Sequence, residues 1–171
     1  MLAWFPFIIL TLFTLIASLH IWRRPIAKRY RFKQFVLLLF LWVLTAFCFT
    51  PTNYSFSSSV VLPYITLGPA KIIPNPIRQL DLDFWLNVLL TMPLGFLVGW
   101  NWPNRPWREI ILLGLLTGLS LETGQFVLDW LVHINRWIDI DDVLTNWAGV
   151  ILGFGCYHLI SRFPGFRWLQ K

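Results

Sequence analysis

The chain has 171 residues, of which 57% are apolar, 18% aromatic and only 13% charged. A soluble domain usually carries about 25% charged residues, so a soluble fold of this length would lack the polar residues to cover its surface. Disorder is excluded as well, because the chain is rich in the Trp, Phe, Leu and Ile that disordered segments lack. The composition therefore indicates an integral membrane protein.

Five apolar stretches predict five transmembrane helices, since a spanning helix needs about 20 residues. Four spans with one buried or re-entrant segment is the alternative. The second stretch is short, and we expect Lys33 and Gln34 to serve as its snorkelling end. The fold prediction is an all-α polytopic helix bundle with about five transmembrane helices, at residues 2–22, 35–49, 84–100, 110–132 and 143–160.

The distribution of basic residues predicts the orientation of this bundle. The net charge is +6, from 14 Lys and Arg against 8 Asp and Glu. Most basic residues lie in the 23–33 connection, the 101–109 connection and the C-terminal tail; only Lys71, Arg78 and Arg136 lie on the other side. Because basic loops favour the cytoplasm, the N-terminus is predicted outside and the C-terminus in the cytoplasm. Anionic lipid binding by the 23–33 cluster is compatible with this role as a topology anchor.

The outer connection, residues 51–83, contains five prolines, which prevent a regular helix. Its apolar runs, such as Val60-Val61-Leu62, are unsuited to a freely solvated loop, so we expect it to lie on the outer interface or to cover the bundle. Cys48 and Cys156 are predicted near opposite ends of the bundle, too far apart for a disulfide. Both are therefore expected to be packing residues.

Polar residues form stripes on the predicted spans, although ionisable groups at membrane depth are costly. Glu122, Gln125 and Asp129 share one face of the fourth span, and Asp142 and Asn146 share one face of the fifth. The third span places Asn87 near its outer end, and Pro93 is expected to kink it. Toward the inner side the stripes give way to pairs of small residues that allow close helix contact: Gly95 and Gly99, Gly114 and Gly118, and Gly149 and Gly153. The pattern predicts a bundle packed tightly below and opened into a polar pocket above.

The connection before the fifth span adds a group of charged side chains. Arg136 is the expected partner of Glu122 or Asp139, and Asp141 or Asp142 is expected to cap the N-terminus of the fifth span. The carboxylates would suit Mg²⁺ or Ca²⁺, but the arginine among them argues against a metal, and no cofactor is predicted. Two interpretations of the stripes stay open, namely polar contacts that join helices and a ligand-binding surface.

The combined pattern resembles the VanZ-like membrane protein family. That family shows Glu-x-x-Gln on one helix, followed by Arg-x-x-Asp-x-Asp-Asp-x-x-x-Asn-x-x-Gly, and this chain carries both, from Glu122 and from Arg136 onward. Asn87 and the run Pro-Leu-Gly-Phe from Pro93 are similar to an upstream element of the family. The one departure is Asn135, where many members have Gly, and it bears on the local turn.

The resemblance implies a division into a first transmembrane helix with a basic cytoplasmic loop (1–34), a VanZ-like membrane domain (35–160) and a basic cytoplasmic tail (161–171). It also implies a bacterial plasma membrane and a link to teicoplanin resistance or other cell-envelope processes. Teicoplanin is a lipoglycopeptide that acts on cell-wall precursors outside the membrane.

The leading functional hypothesis is a non-enzymatic membrane protein that binds an amphiphile in an outward-facing polar pocket. The expected partners are membrane lipids and a lipid-linked cell-wall precursor or lipoglycopeptide, not nucleic acid. The alternatives are an enzyme acting on a lipid-linked phosphate or sugar headgroup, with Asp139 or Asp142 as base or metal ligand, and an assembly factor. The predicted binding residues are Asn87, Glu122, Gln125, Arg136, Asp139, Asp141, Asp142 and Asn146.

The predicted orientation can be tested with introduced cysteines. Asp81→Cys and Asp139→Cys should both react with a membrane-impermeant thiol reagent added to intact cells, because both positions are predicted outside. Labelling that requires permeabilised cells would contradict the orientation.

Overall fold

The computed structural model describes residues 2–51, 64–74 and 82–169. Within these ranges the chain is mostly helical, and five helices are long and apolar enough to cross a membrane. The five predicted spans are therefore confirmed as helices of that kind. In chain order they are α1 (Phe5–Arg23), α2 (Lys28–Phe49), α3 (Leu82–Asn101), α4 (Trp107–Val132) and α5 (Ile140–Ser161), with 3₁₀ turns at Leu2–Trp4 and Pro164–Leu169.

The second helix differs from its prediction at its start. It begins at Lys28 rather than at residue 35, so the predicted boundary between residues 34 and 35 falls inside a continuous helix. Lys33 is not a snorkelling end, because its side chain is only 7% exposed and its Nζ donates to the carbonyl oxygen of Trp100 at 3.1 Å. That carbonyl lies at the C-terminus of α3, where the helix dipole favours a cation.

The helices alternate in direction, which gives the bundle two distinct ends. The basic end holds the α1–α2 connection, the α3–α4 connection and the end of α5, as the Lys33 contact with Trp100 and the ring contact of Trp107 with Phe154 at 4.9 Å show. The opposite end, called the sheet end because a small sheet lies there, holds the start of α3, the end of α4 and the start of α5. Most of the basic residues lie at the basic end, while its assignment to the cytoplasm stays a prediction.

A small sheet lies at the sheet end and was not expected from the sequence, which predicted only helices. It contains β1 (Ile65–Leu67), β2 (Ala70–Ile73) and β3 (Trp137–Asp139) in the order β1-β2-β3. β1 and β2 pair in antiparallel fashion, and β2 and β3 pair in parallel. The sheet therefore joins part of the 51–83 connection to the segment before α5. Residues 52–63 and 75–81 of that connection, including Val60-Val61-Leu62, lie outside the described residues.

The hairpin turn between β1 and β2 packs directly on α4. Gly68 has φ +61, and a Cβ at this position would lie 2.8 Å from Cη2 of the Trp130 ring. The positive φ and the close ring both favour glycine. This contact holds the hairpin against the C-terminal part of α4.

α3 and α5 make the most extensive helix contact in the described structure, and glycine makes it possible. A Cβ on Gly95 would overlap the carbonyl oxygen of Val150, and a Cβ on Gly153 would overlap that of Met92. On α4, a Cβ at Gly118 would lie 2.5 Å from the carbonyl oxygen of Val143. The predicted role of the small-residue pairs in close helix contact is therefore confirmed.

The apolar core lies between α3, α4 and α5, while α1 stands at the side of the bundle. α1 packs mainly on α2, where Nε1 of Trp42 donates to Oγ1 of Thr11 at 3.0 Å. Cys48 and Cys156 are both free thiols, and Cys48 is buried against Leu44 and Leu121 as a packing residue. The main core cluster consists of Leu94, Val98, Ile110, Val150 and Phe154.

Two glycines on α5 provide a matched test of this packing. Gly153→Ala should lower the stability by about 1–3 kcal/mol, several degrees in Tm, because its methyl group would meet the backbone of α3. Gly155→Ala should be neutral or stabilising, because the nearest atom lies 3.6 Å away and alanine has the higher helix propensity. Thermal unfolding of the purified protein in detergent measures both. Equal Tm values for the two variants would contradict the backbone contact.

Candidate functional site

Four of the predicted site residues meet at the sheet end, drawn from α3, α4 and the start of α5. Oε2 of Glu122 accepts a hydrogen bond from the backbone N–H of Asp139 at 3.2 Å. Oδ1 of Asp142 accepts one from Nδ2 of Asn87 at 2.5 Å. The carboxyl groups of Glu122, Asp139 and Asp142 lie near one another. Together with Asn146, which is described next, these four residues are called the sheet-end cluster: Asn87, Glu122, Asp139, Asp142 and Asn146.

Asn146 lies one helical turn below Asp142 on the same stripe of α5. Its backbone carbonyl accepts a hydrogen bond from Oγ1 of Thr91 at 3.0 Å, which ties α5 to α3. Its side chain is 4% exposed, and its Oδ1 is buried without a hydrogen-bond partner. Because a buried unsatisfied acceptor costs about 1–3 kcal/mol, this oxygen is an acceptor that a ligand donor would satisfy.

The stripe predicted on α4 divides into three separate roles. Glu122 takes part in the cluster, whereas Gln125 donates from Nε2 to the carbonyl oxygen of Cys48 at 3.2 Å and so joins α4 to α2. Asp129 is 3% exposed, and its Oδ1 accepts from the backbone N–H of Asn135 at 2.6 Å. Gln125 and Asp129 thus hold the structure around the cluster.

In the described contacts Arg136 forms an ion pair with neither of the predicted partners, Glu122 and Asp139. Its guanidinium donates instead to the carbonyl oxygens of Phe47 and Thr50, with Nε 3.3 Å and Nη2 3.2 Å from the latter. These carbonyls end α2, and helix C-termini attract cations. Burial lowers the pKa of the Arg136 guanidinium, but an arginine keeps its proton in proteins. Arg136 therefore joins the segment before α5 to the C-terminal end of α2 through hydrogen bonds.

The N-cap of α5 is Asp139, not Asp141 or Asp142 as expected. Its Oδ1 accepts from the backbone N–H of Asp141 at 3.0 Å, and its own backbone is extended. Asp141 and Asp142 occupy the first turn, where the helix dipole also favours acids. Three acids in the sequence Asp-Ile-Asp-Asp could cap the helix. Asp139 is the cap because its backbone is still extended as the last residue of β3.

The turn between α4 and β3 explains the departure at Asn135. Asn135 has φ 56 and His133 has φ 53, both in the left-handed region. Glycine adopts this conformation most easily, and asparagine is among the side chains that tolerate it best. Asparagine at this position is therefore compatible with the same turn.

The family model of VanZ/LLP1 matches residues 35–161, which include every predicted site residue. The chain belongs to the VanZ/LLP1 family. No curated protein and no solved structure shows significant similarity to it.

The site residues of this VanZ/LLP1 protein differ in how far they are exposed. Asn87, Asp139, Asp141 and Asp142 are half-buried, whereas Glu122 and Asn146 are buried beneath them. The two prominent cavities among the described residues lie elsewhere, one between α1 and α2 and one beside Pro93. The open pocket therefore stays a prediction, and the half-buried acids form the outer surface of the site.

Metal binding gains no support in the described part of the chain, where no three His, Cys, Asp or Glu side chains are arranged to hold an ion. Two contributors to the site were not singled out from the sequence. One is Thr91, whose hydroxyl joins α3 to α5. The carbonyl of Cys48 anchors Gln125, and a backbone acceptor has no signal in the sequence.

Asp139 offers a test that separates the cap from the charge. Asp139→Ala should cost about 0.5–2 kcal/mol, because α5 loses its N-cap, while Asp139→Asn should lose less than half as much since asparagine caps equally well. Thermal unfolding of both variants in the same detergent measures the difference. Equal losses would show that the carboxylate charge matters more than its role as a hydrogen-bond acceptor.

Proposed function

We propose that this VanZ/LLP1 protein binds the polar headgroup of an amphiphile through the sheet-end cluster, at the outer leaflet of a bacterial plasma membrane. The observation that carries the proposal is the excess of acceptors in the cluster. Carboxylates and amides converge from three helices, and Oδ1 of Asn146 is buried without a donor. Such a site would suit a ligand that supplies hydroxyl, amide or ammonium donors.

The electrostatics of the described contacts support a ligand with donors. Glu122 and Asp142 both accept hydrogen bonds from neutral N–H groups, while the nearby cation, Arg136, is held by the carbonyls of α2. The carboxyl oxygens of the two acids are thus available as acceptors for the donors of a ligand.

The setting of the site favours an amphiphile over a freely soluble ligand. The cluster is built on helices able to cross a membrane, and its half-buried acids lie at the end of the bundle. The distribution of basic residues supports an outward orientation for this end. A lipid-linked cell-wall precursor or a lipoglycopeptide such as teicoplanin carries sugar hydroxyls and amide donors on a lipid anchor, and the resemblance to VanZ-like proteins supports a link to teicoplanin resistance.

The binding role can be tested with two variants that keep the size of each side chain. Glu122→Gln and Asp142→Asn should reduce protection against teicoplanin by up to about tenfold, because each replaces a carboxyl oxygen by an amide NH₂ group that cannot accept a hydrogen bond worth about 0.5–1.5 kcal/mol. The measurement is the inhibitory concentration in cells that carry equal amounts of each variant in the membrane.

Glu109→Gln is the matched control. Glu109 is an exposed acid at the basic end, paired with Arg105 at 2.8 Å, and its variant should protect as the wild type does. If Glu122→Gln also protects fully while Glu122→Ala only lowers abundance, the acid joins helices and the binding proposal is wrong.

A further inference from the structure

A groove between α1 and α2 is the larger of the two cavities noted above, with a volume of about 470 Å³. That volume lies within the range of about 300–1,000 Å³ typical of ligand sites. Its walls come from both helices and include Leu15, Ser18, Phe35, Val36, Leu39 and Trp42. Because α1 packs mainly on α2, the groove opens sideways, where the lipid of a membrane would lie.

The two threonine hydroxyl groups in the groove are already satisfied within the protein. Oγ1 of Thr11 donates to the carbonyl of Phe7 and accepts from Trp42, and Oγ1 of Thr14 donates to the carbonyl of Leu10 at 2.9 Å. Apart from the hydroxyl of Ser18, the surface that remains is apolar. An alkyl chain is the occupant that such a surface favours.

The groove leads to a strongly basic segment. Ser18 is about 7.5 Å along α1 from Arg23 at 1.5 Å per residue, and Phe32, on the opposite wall, is next to Arg31 and Lys33. The 23–33 segment contains six basic residues and no acid. Arg23, Arg24 and Lys28 are exposed, so their charges are accessible to a ligand.

We infer that the α1–α2 groove binds one acyl chain of an anionic phospholipid, whose phosphate is held by Arg23, Arg24 and Lys28 at the basic end. The apolar walls select an alkyl chain and the basic segment selects a negative headgroup. Together these features favour a lipid over an apolar helix of another subunit, which would leave the cations unpaired. The inference is independent of the sheet-end cluster, which lies at the other end of the bundle.

Native mass spectrometry tests this site. The full chain in detergent is mixed with equal amounts of phosphatidylglycerol and phosphatidylcholine of the same acyl chains, and the lipid that stays bound after release from the detergent is measured. The wild type should retain phosphatidylglycerol about tenfold over phosphatidylcholine, as expected for attraction by several basic residues. Ser18→Phe, which fills the groove, should remove most of the retained lipid. Equal retention of the two lipids by the wild type would overturn the proposal.

Matched variants separate the two parts of the site. Arg23→Gln combined with Arg24→Gln should abolish the preference for phosphatidylglycerol, whereas Arg108→Gln, an exposed arginine on α4 at the same end, should keep it. Leu116→Phe, on an exposed face of α4, is the control for the groove-filling change and should retain lipid as the wild type does.

Two outcomes would exclude the lipid as occupant. If Ser18→Phe folds with an unchanged Tm and still retains phosphatidylglycerol, the groove is not the binding site. If the wild type is a dimer in detergent and Ser18→Phe is a monomer, a second copy of the chain occupies the groove.

Should Ser18→Phe fail to fold, the variant with both Arg23→Gln and Arg24→Gln provides the test. If this variant keeps the preference for phosphatidylglycerol, the inference is overturned. Teicoplanin protection should be unaffected by the arginine variants, so the two proposals fail separately.

Discussion

The close approach of α3 and α5 is the constraint on which the rest of the structure depends. Where Gly95 and Gly153 remove the side chain, backbone meets backbone, and the two helices are fixed in one register. Contacts then repeat every four residues along both helices, so that the pairs Asn87–Asp142 and Thr91–Asn146 follow from the same alignment as the glycine contacts. A shift of one residue would separate both polar pairs. The position of the sheet-end cluster is therefore a consequence of packing deeper in the bundle.

Charged groups in this bundle are mainly stabilised by backbone and amide groups rather than by opposite charges. Lys33 lies at the C-terminus of α3 and Arg136 at the C-terminus of α2, where carbonyl groups without helical partners accept their hydrogen bonds. Glu122 and Asp142 accept from N–H groups in turn. Each of these four side chains is thereby hydrogen-bonded to an uncharged group.

The sequence predicted the helices and their contacts better than the partners of individual side chains. Hydropathy located the five spans, and glycine spacing located the close contacts, because both depend on local patterns. The sheet could not be predicted, since β3 pairs with a strand more than sixty residues earlier in the chain and each strand is too short for a periodic signal. Arg136 was expected to pair with an acid because its real acceptors, two backbone carbonyls of α2, are brought near it only by the tertiary fold.

The family match covers one of the two proposed sites completely and the other only in part. All members of the sheet-end cluster lie within residues 35–161, which the family model covers, whereas α1 and the basic segment precede them. One wall of the groove therefore comes from a helix outside the matched region, and α2, which forms the other wall, ends at the contacts with Gln125 and Arg136. At its end, α2 receives Arg136; along its length, it packs against α1 through Trp42. Because Trp42 contacts α1 and the C-terminal end of α2 contacts Arg136, the two sites depend on different parts of one helix, and each can be altered without removing the contacts of the other.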